Sequence, residues 1–215
     1  MGHHRDAVTG EVTVTAVTGP SASGKATLAQ ALAAHLLGAV HLQQDAYFRD
    51  PDDYPPDANF CDHRWLHLDA FLDAFRVLAA GGQASVPDMD FATFRPRGHN
   101  HLGPARHLIV DGMTVLRLPE IRRRCQHAIY LDPDFDTITV RKRDRDRRER
   151  NKTETVIAAQ LAWMRDEHAA DHALRNDPSI QVIKDGLGDM TRLARLVLGS
   201  LDPGSWDGLG SHGRP

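Results

Sequence analysis

The chain has 215 residues, 41% of them apolar, and a formal net charge of −3. That length suits one well-buried α/β domain, residues 1–202, and is too short for two comfortable ones. The charge argues against a general polyanion binder, Cys61 and Cys125 make neither a disulfide framework nor a Cys-based metal site, and no apolar run reaches membrane-spanning length. The two cysteines suit a reducing cytoplasm. Met1 to Thr9 is polar and His-containing, so it reads as neither signal peptide nor membrane anchor.

Val12, Val14, Ala16 and Thr18 read as a first strand, and Leu28, Leu32, Ala33 and Leu36 recur at helical spacing soon after it. Between them lies Gly19-Pro20-Ser21-Ala22-Ser23-Gly24-Lys25. Two glycines at this spacing let consecutive backbone N–H groups curl round a phosphate, and the helix N-terminus behind them adds partial positive charge. Lys25 would neutralise the β- and γ-phosphates, so the stretch fits a phosphate-binding loop. Ala26 stands where such loops carry a Ser or Thr hydroxyl for Mg²⁺. Thr27 comes one place late, about 100° round the helix.

Gly38 is a natural helix stop, and Val40 to Gln43 reads as a second strand ending in Gln44-Asp45. Open parallel sheets bind ligands at strand C-termini, so Asp45 is expected to face the phosphate loop; a turn or capping aspartate is the alternative. Arg49 to Asn59 reads as an irregular loop. Leu66, Leu68, Phe71, Leu72, Phe75 and Leu78 form a core-facing helix closed by Gly81-Gly82.

Val86 to Gly98 carries Pro87, Asp88, Asp90, Phe91, Phe94, Arg95 and Arg97, too broken for a helix and too polar for a buried strand, and reads as a substrate-facing hairpin or loop. His107 to Gly112 is apolar and then abruptly acidic, as in a buried strand delivering Asp111 at its tip, where it could hold Mg²⁺ through water. A short helix at Pro119 to Arg124, a strand at Ala128 to Leu131 and a turn at Asp132-Pro133-Asp134 follow.

Thr137 to Arg150 is helical in pattern and strongly basic, with Asp144, Asp146 and Glu149 interspersed, which on charge pattern alone is a solvated, ion-paired face. Val156, Ile157, Leu161 and Met164 continue as a helix, Ile180 to Ile183 as a strand and Met190 to Leu201 as a closing helix; residues 203–215 are Gly-rich and expected to be disordered. Alternating strands and helices imply a parallel sheet. His168 and His172 share a helix face near Asp171, but a third clear zinc ligand is missing.

Six stretches in this order resemble the uridine kinase and phosphoribulokinase-like branch of the P-loop kinases. They are the phosphate loop, Gln44-Asp45-Ala46-Tyr47-Phe48, Asn59-Phe60-Cys61-Asp62-His63, Pro87-Asp88-Met89-Asp90-Phe91, Asp111-Gly112, and Arg141-Lys142-Arg143-Asp144-Arg145-Asp146. The resemblance runs from about Val12 to about Gln160. It implies an α/β P-loop NTPase-type parallel sheet of order 2-3-1-4-5 flanked by helices, with a mobile basic helical lid. It also implies ATP-dependent phosphorylation of a sugar hydroxyl with Mg²⁺.

Residue by residue, Asp45 falls on the catalytic base, with Lys25 and Arg145 as further catalytic groups. Gly19, Ser21, Ala22, Ser23, Gly24, Lys25, Ala26, Thr27, Arg141 and Lys142 fall on ATP and phosphate binding. Asp62, as a ribose-binding acid, joins Met89, Phe91, Phe94, Arg150, Lys152 and Gln160 on the substrate side, and Asp45 and Asp111 fall on the metal through water. Met89 and Phe94 stand where uridine and cytidine kinases carry Tyr and His, and Cys61 looks like an insertion.

The resulting expectation is a cytoplasmic phosphotransferase acting on a nucleoside or related sugar compound, with a small-molecule hydroxyl acceptor as partner, no nucleic acid and no membrane, and homo-oligomerisation left open. The alternative is a nucleotide-binding regulator or pseudokinase, motivated by Ala26 and the altered substrate loop.

Overall fold

Val14 to Thr18 are all buried because their strand occupies the middle of a parallel sheet, where both faces are covered and the apolar run need not alternate. The computed structural model describes residues 11–55, 57–184 and 189–201; the start at 1–9 and the expected tail at 203–215 lie outside them. In chain order, β1 (Thr13–Thr18) is followed by α1 (Lys25–His35), β2 (Ala39–Gln43), α2 (Leu68–Ala79) and the strands β3 (Ala84–Asp90) and β4 (Arg95–Leu102). Then come β5 (His107–Asp111), α3 (Pro119–Arg124), β6 (His127–Leu131), α4 (Phe135–Arg148), α5 (Glu154–Ala170), α6 (His172–Arg175), β7 (Ile180–Ile183) and α7 (Met190–Leu201).

The main sheet has the order β2-β5-β1-β6-β7, with parallel neighbours throughout. Counting only its own strands, that is 2-3-1-4-5. Gln43 and Val17 both pair with Asp111 in register, so the C-terminal tips of β2, β5 and β1 end level with one another.

Each face of the sheet has its own core. On one, Val14, Ala16, Leu42, Leu108, Val110 and Tyr130 pack with Phe71, Phe75 and Leu78 of α2 and Ile121 of α3. On the other, Val17, Ile109, Ile129 and Leu131 meet Leu28 and Leu32 of α1 and Leu193, Val197 and Leu198 of α7. A smaller cluster of Phe60, Cys61, Ile138 and Met164 ties α4 and α5 to the loop before α2.

The Val86 to Gly98 stretch forms the antiparallel pair β3–β4, which stands apart from the main sheet. Asp90 builds its turn: one carboxylate oxygen accepts from Ala92 N at 3.0 Å and the other from Thr93 Oγ1 at 3.1 Å, and Phe94 follows with φ +56. The basic helix starts at Phe135, two residues earlier than its pattern suggests, because Asp134 caps it by accepting from Thr137 N at 2.8 Å.

Candidate active site

The phosphate loop joins the tip of β1 to α1. Gly19 has φ +146, Ala22 φ +67 and Gly24 φ +92, a run of positive φ values that turns successive N–H groups into one concavity. A Cβ at Gly19 would lie 2.5 Å from the carbonyl oxygen of Leu131, so the β6 backbone leaves room there for glycine alone. No side chain caps α1, which leaves its first-turn N–H groups for a ligand. Lys25 is buried, with its Nζ 3.5 Å from Pro20 O. Burial lowers its pKa, opposed by Asp45 and Asp111 and reinforced by Arg145 and Arg150.

Ala22, Gly24, Lys25, Ala26 and Thr27 wall a cleft of 380 Å³ that Gln43, Asp45, Arg141, Arg145 and Arg150 complete. Gly19 borders a separate hollow, Ser23 is fully buried beneath the loop, and Ser21 Oγ accepts from Arg145 Nη2 at 3.0 Å, joining the basic helix to the loop. A second cavity of 240 Å³ adjoins it. Phe48, Tyr54, Phe60, Trp65, Phe94 and Met113 give this cavity its apolar walls, and Asp45, Arg150, Lys152 and Gln160 its polar groups. Asp45 and Arg150 open on both spaces.

Asp146 is the centre of the basic segment. Its buried carboxylate takes Lys142 Nζ at 2.6 Å and Arg145 Nη2 at 2.7 Å, with Lys152 Nζ at 3.5 Å and Arg150 Nε at 3.9 Å further out. Gln160 Oε1 accepts from Lys142 at 2.8 Å and from Lys152 at 3.2 Å. Burial lowers the pKa of Lys142 against the pull of Asp146. Arg150 packs over the rings of Phe91 and Phe94, and Lys152 over Phe94.

Among the sequence-predicted residues, Lys142, Asp62, Met89 and Phe91 line neither space. Lys142, expected on phosphate, is fully buried on Asp146, Gln160 and the Phe60 ring, away from the cleft lining. Asp62, expected on ribose, caps the turn His63–Trp65 and holds Arg64 through Nη2 at 2.8 Å and Nε at 3.0 Å; it borders a different hollow with Asn59 and His63. Met89 is buried beneath the β3–β4 pair, in a space shared with His41 and Tyr47. Phe91 borders that same space, while Phe94 reaches the apolar cavity. Of the histidines weighed for zinc, His168 Nε2 sits 2.6 Å from Asp132 Oδ1 and His172 is exposed beside Asn176.

Residues outside the expected set also shape the site. His41 Nε2 lies 2.6 Å from Asp111 Oδ1, fixing a carboxylate that is 1% exposed. Gln44 Oε1 accepts from Thr114 N at 3.2 Å and Thr114 Oγ1 at 3.1 Å, and a Cβ on Gly112 would lie 2.3 Å from that same oxygen. The chain just before Asp45 is thereby fastened to the chain just after Asp111.

A central parallel sheet with a glycine-bearing loop between its middle strand and an uncapped helix defines a P-loop α/β protein. Comparison carries this to a family. Residues 14–177 match the Phosphoribulokinase / Uridine kinase family, and the chain belongs to it. The uridine kinase of Chloroflexus aurantiacus is 33% identical over 168 residues, 71% of this chain and 77% of the relative. The uridine kinase of Leuconostoc citreum is 30% identical over 132 residues, 57% of this chain and 63% of the relative.

A solved structure of a "putative fructose transport system kinase" from Silicibacter sp. TM1040 superposes with a TM-score of 0.65 at 19% identity, covering 82% of this chain and 92% of its own. That likeness concerns the fold alone. As a family member the chain is a phosphotransferase of the kinase class. Among the described residues, no helix is long and apolar enough to cross a membrane.

Proposed function

We propose that the protein is an ATP-dependent small-molecule kinase that transfers the γ-phosphoryl group to a hydroxyl of a nucleoside or related sugar compound, working in the cytoplasm as a single domain over residues 1–202. The observation that carries this is the position of Asp45 and Arg150 at the junction of two spaces, one walled by the phosphate loop and the other by aromatic side chains. A group transferred from a nucleotide in the first to an acceptor in the second has to pass between them.

Asp45, in the turn Gln44–Tyr47 just past β2, accepts the proton of the acceptor hydroxyl as that oxygen bonds to the γ-phosphorus and ADP leaves. Lys25, Arg141 and Arg145 neutralise the phosphate oxygens, and Arg145 matters most as negative charge shifts in the transition state. The donor set fits a hydrated Mg²⁺ carried in with the nucleotide. Asp45 opens on the phosphate cleft and Asp111 lies at the neighbouring strand tip, two carboxylates suited to holding the ion through its waters. Bound there, Mg²⁺ would supply charge neutralisation on the β- and γ-phosphates.

The test is ATP consumption over a panel of nucleosides, sugars and sugar derivatives, with Asp45→Asn alongside wild type. Asp45→Asn should lower kcat by roughly 10²-fold or more while ATP affinity and the melting temperature hold. Near-wild-type turnover would end the assignment of Asp45. Ala26 favours a second reading, a nucleotide-binding regulator; ATP binding with no turnover on any acceptor would support it.

A further inference from the structure

The acceptor cavity is charged unlike a site for a neutral sugar. A neutral polyol needs acceptors as well as donors around it, and the acid that the sequence offers for that purpose, Asp62, is spent on capping its own turn and on Arg64. Asp45 opens on the cavity but also on the phosphate cleft, where the reacting hydroxyl must sit. The remaining charged groups on the cavity wall, Arg150 and Lys152, are cationic.

Asp146 leaves these two cations incompletely matched. One carboxylate serves four positive side chains, and the two short contacts, at 2.6 and 2.7 Å, belong to Lys142 and Arg145. Lys152 at 3.5 Å and Arg150 at 3.9 Å are its outer partners. Arg150 also opens on the phosphate cleft, where a nucleotide would claim its charge, whereas Lys152 borders the acceptor cavity and not the cleft. Gln160 Oε1 and the Phe94 ring hold the ammonium in place at 3.2 and 5.1 Å. A positioned, partly desolvated cation facing an aromatic-walled space is a binding group for an anion attached to an apolar or ring body.

We infer that the phosphate acceptor is itself an anion: a hydroxyl compound carrying a carboxylate or phosphate group that docks on Lys152, with its hydroxyl directed to Asp45. This refines the kinase reading above and rests on it for the word acceptor, while the anion site itself can be tested without turnover.

Of the tryptophans among the described residues, Trp65 lines the cavity and Trp163 does not, so the change in tryptophan fluorescence on titration reports occupancy through Trp65. Benzoate, phenyl phosphate and benzamide share one ring and differ in the attached group, and each is titrated into wild type, Lys152→Met and Lys152→Arg, with circular dichroism checking that the variants fold. Benzoate or phenyl phosphate should bind wild type about tenfold or more tightly than benzamide, the scale of one charge-assisted hydrogen bond. The preference should vanish in Lys152→Met and survive in Lys152→Arg. Which of the two anions binds better tells a carboxylate acceptor from a phosphorylated one.

Equal affinities, no binding of either anion, or a preference that persists in Lys152→Met would overturn the inference. If Lys152→Met fails to fold, the wild-type comparison at low and high salt decides alone, since anion binding through Lys152 must weaken with salt. Absence of ATP consumption on every acceptor would sink the kinase reading and leave these titrations standing.

Discussion

Replacing Asp146 with Asn should be among the most damaging single changes available in this chain. The carboxylate is fully buried and faces Lys142, also fully buried, at 2.6 Å, so the substitution strands an ammonium that water cannot reach. Removing one partner of such a pair costs about 3–5 kcal/mol. The Asn amide keeps one acceptor oxygen, which puts the expected loss at the lower end, about 3 kcal/mol. For a chain of this size that corresponds to a fall in Tm of about 6–12 °C.

Asp144→Asn, on the solvent side of the same helix and paired with Arg148 at 2.9 Å, should be nearly silent because both partners are more than half exposed. The double variant Lys142→Met with Asp146→Leu removes the fully buried ammonium with its carboxylate and leaves only the partly exposed Arg145, Arg150 and Lys152 without Asp146, so it should recover part of the loss. Thermal and urea unfolding of the four proteins make the comparison. An Asp146→Asn protein melting within about 2 °C of wild type, or a double variant no better than the single one, would refute the reasoning.

The pH dependence has a definite sign. Burial works to raise the Asp146 carboxyl, but Arg145 and Lys142 outweigh it and hold the group below the ordinary carboxylate range. A depressed folded value means that the stabilisation is present above about pH 4 and fades as pH falls further. The gap between wild type and Asp146→Asn should therefore narrow below about pH 4.

Three further outcomes are expected. Ala26→Thr should lower the Mg²⁺ concentration needed for half-maximal ATP consumption by restoring an inner-sphere oxygen, and an unchanged midpoint in a metal titration would count against any metal near that residue. Gly19→Ala, at φ +146 with a Cβ that would meet Leu131 O at 2.5 Å, should lower Tm and weaken ATP binding together, and intact values in both would contradict the tight approach of β6.

Burial lowers Lys152 to about 8 against the pull of Asp146, with Arg150 and Arg145 reinforcing the shift and Lys142 and Gln160 alongside. Benzoate affinity should accordingly be full below that value and fall as pH rises through it, while Lys152→Arg, charged throughout, should show no such fall. A flat profile for wild type would exclude Lys152 as the anion-binding group.

The parts of this structure that were legible in the sequence are those whose cause is local. The phosphate loop declares itself through glycine spacing between a strand and a helix, and the alternation of elements points to a parallel sheet, whose order comes from the family resemblance alone. What stayed hidden depends on contacts between distant segments. Lys142 and Asp146 sit four apart on a basic helix, a spacing that reads as a solvated pair, but the Phe60 ring and Gln160 Oε1, which meet the Lys142 ammonium, come from other segments.

The sequence neighbours of Asp62 point to ribose, but Phe60 and Cys61 pack into the α4–α5 cluster while Asp62 holds Arg64. The contact between His41 and Asp111 spans 70 positions and exists because β2 and β5 are neighbours in the sheet. The sequence does not separate hairpin from loop at β3–β4 because β4 is exposed almost throughout and so lacks the apolar alternation that marks a half-buried strand.

The fastening of Gln44 to Thr114 across Gly112 makes these three positions a single mutational unit. A larger residue at 112 can enter only if position 44 gives up its long amide, and a shorter residue at 44 leaves the Thr114 hydroxyl and amide without their acceptor. A library that randomises the three sites together should therefore recover functional combinations that no series of single changes can reach. The spacing between Asp45 and Asp111 is then a heritable property of the backbone, free to drift only in concerted steps.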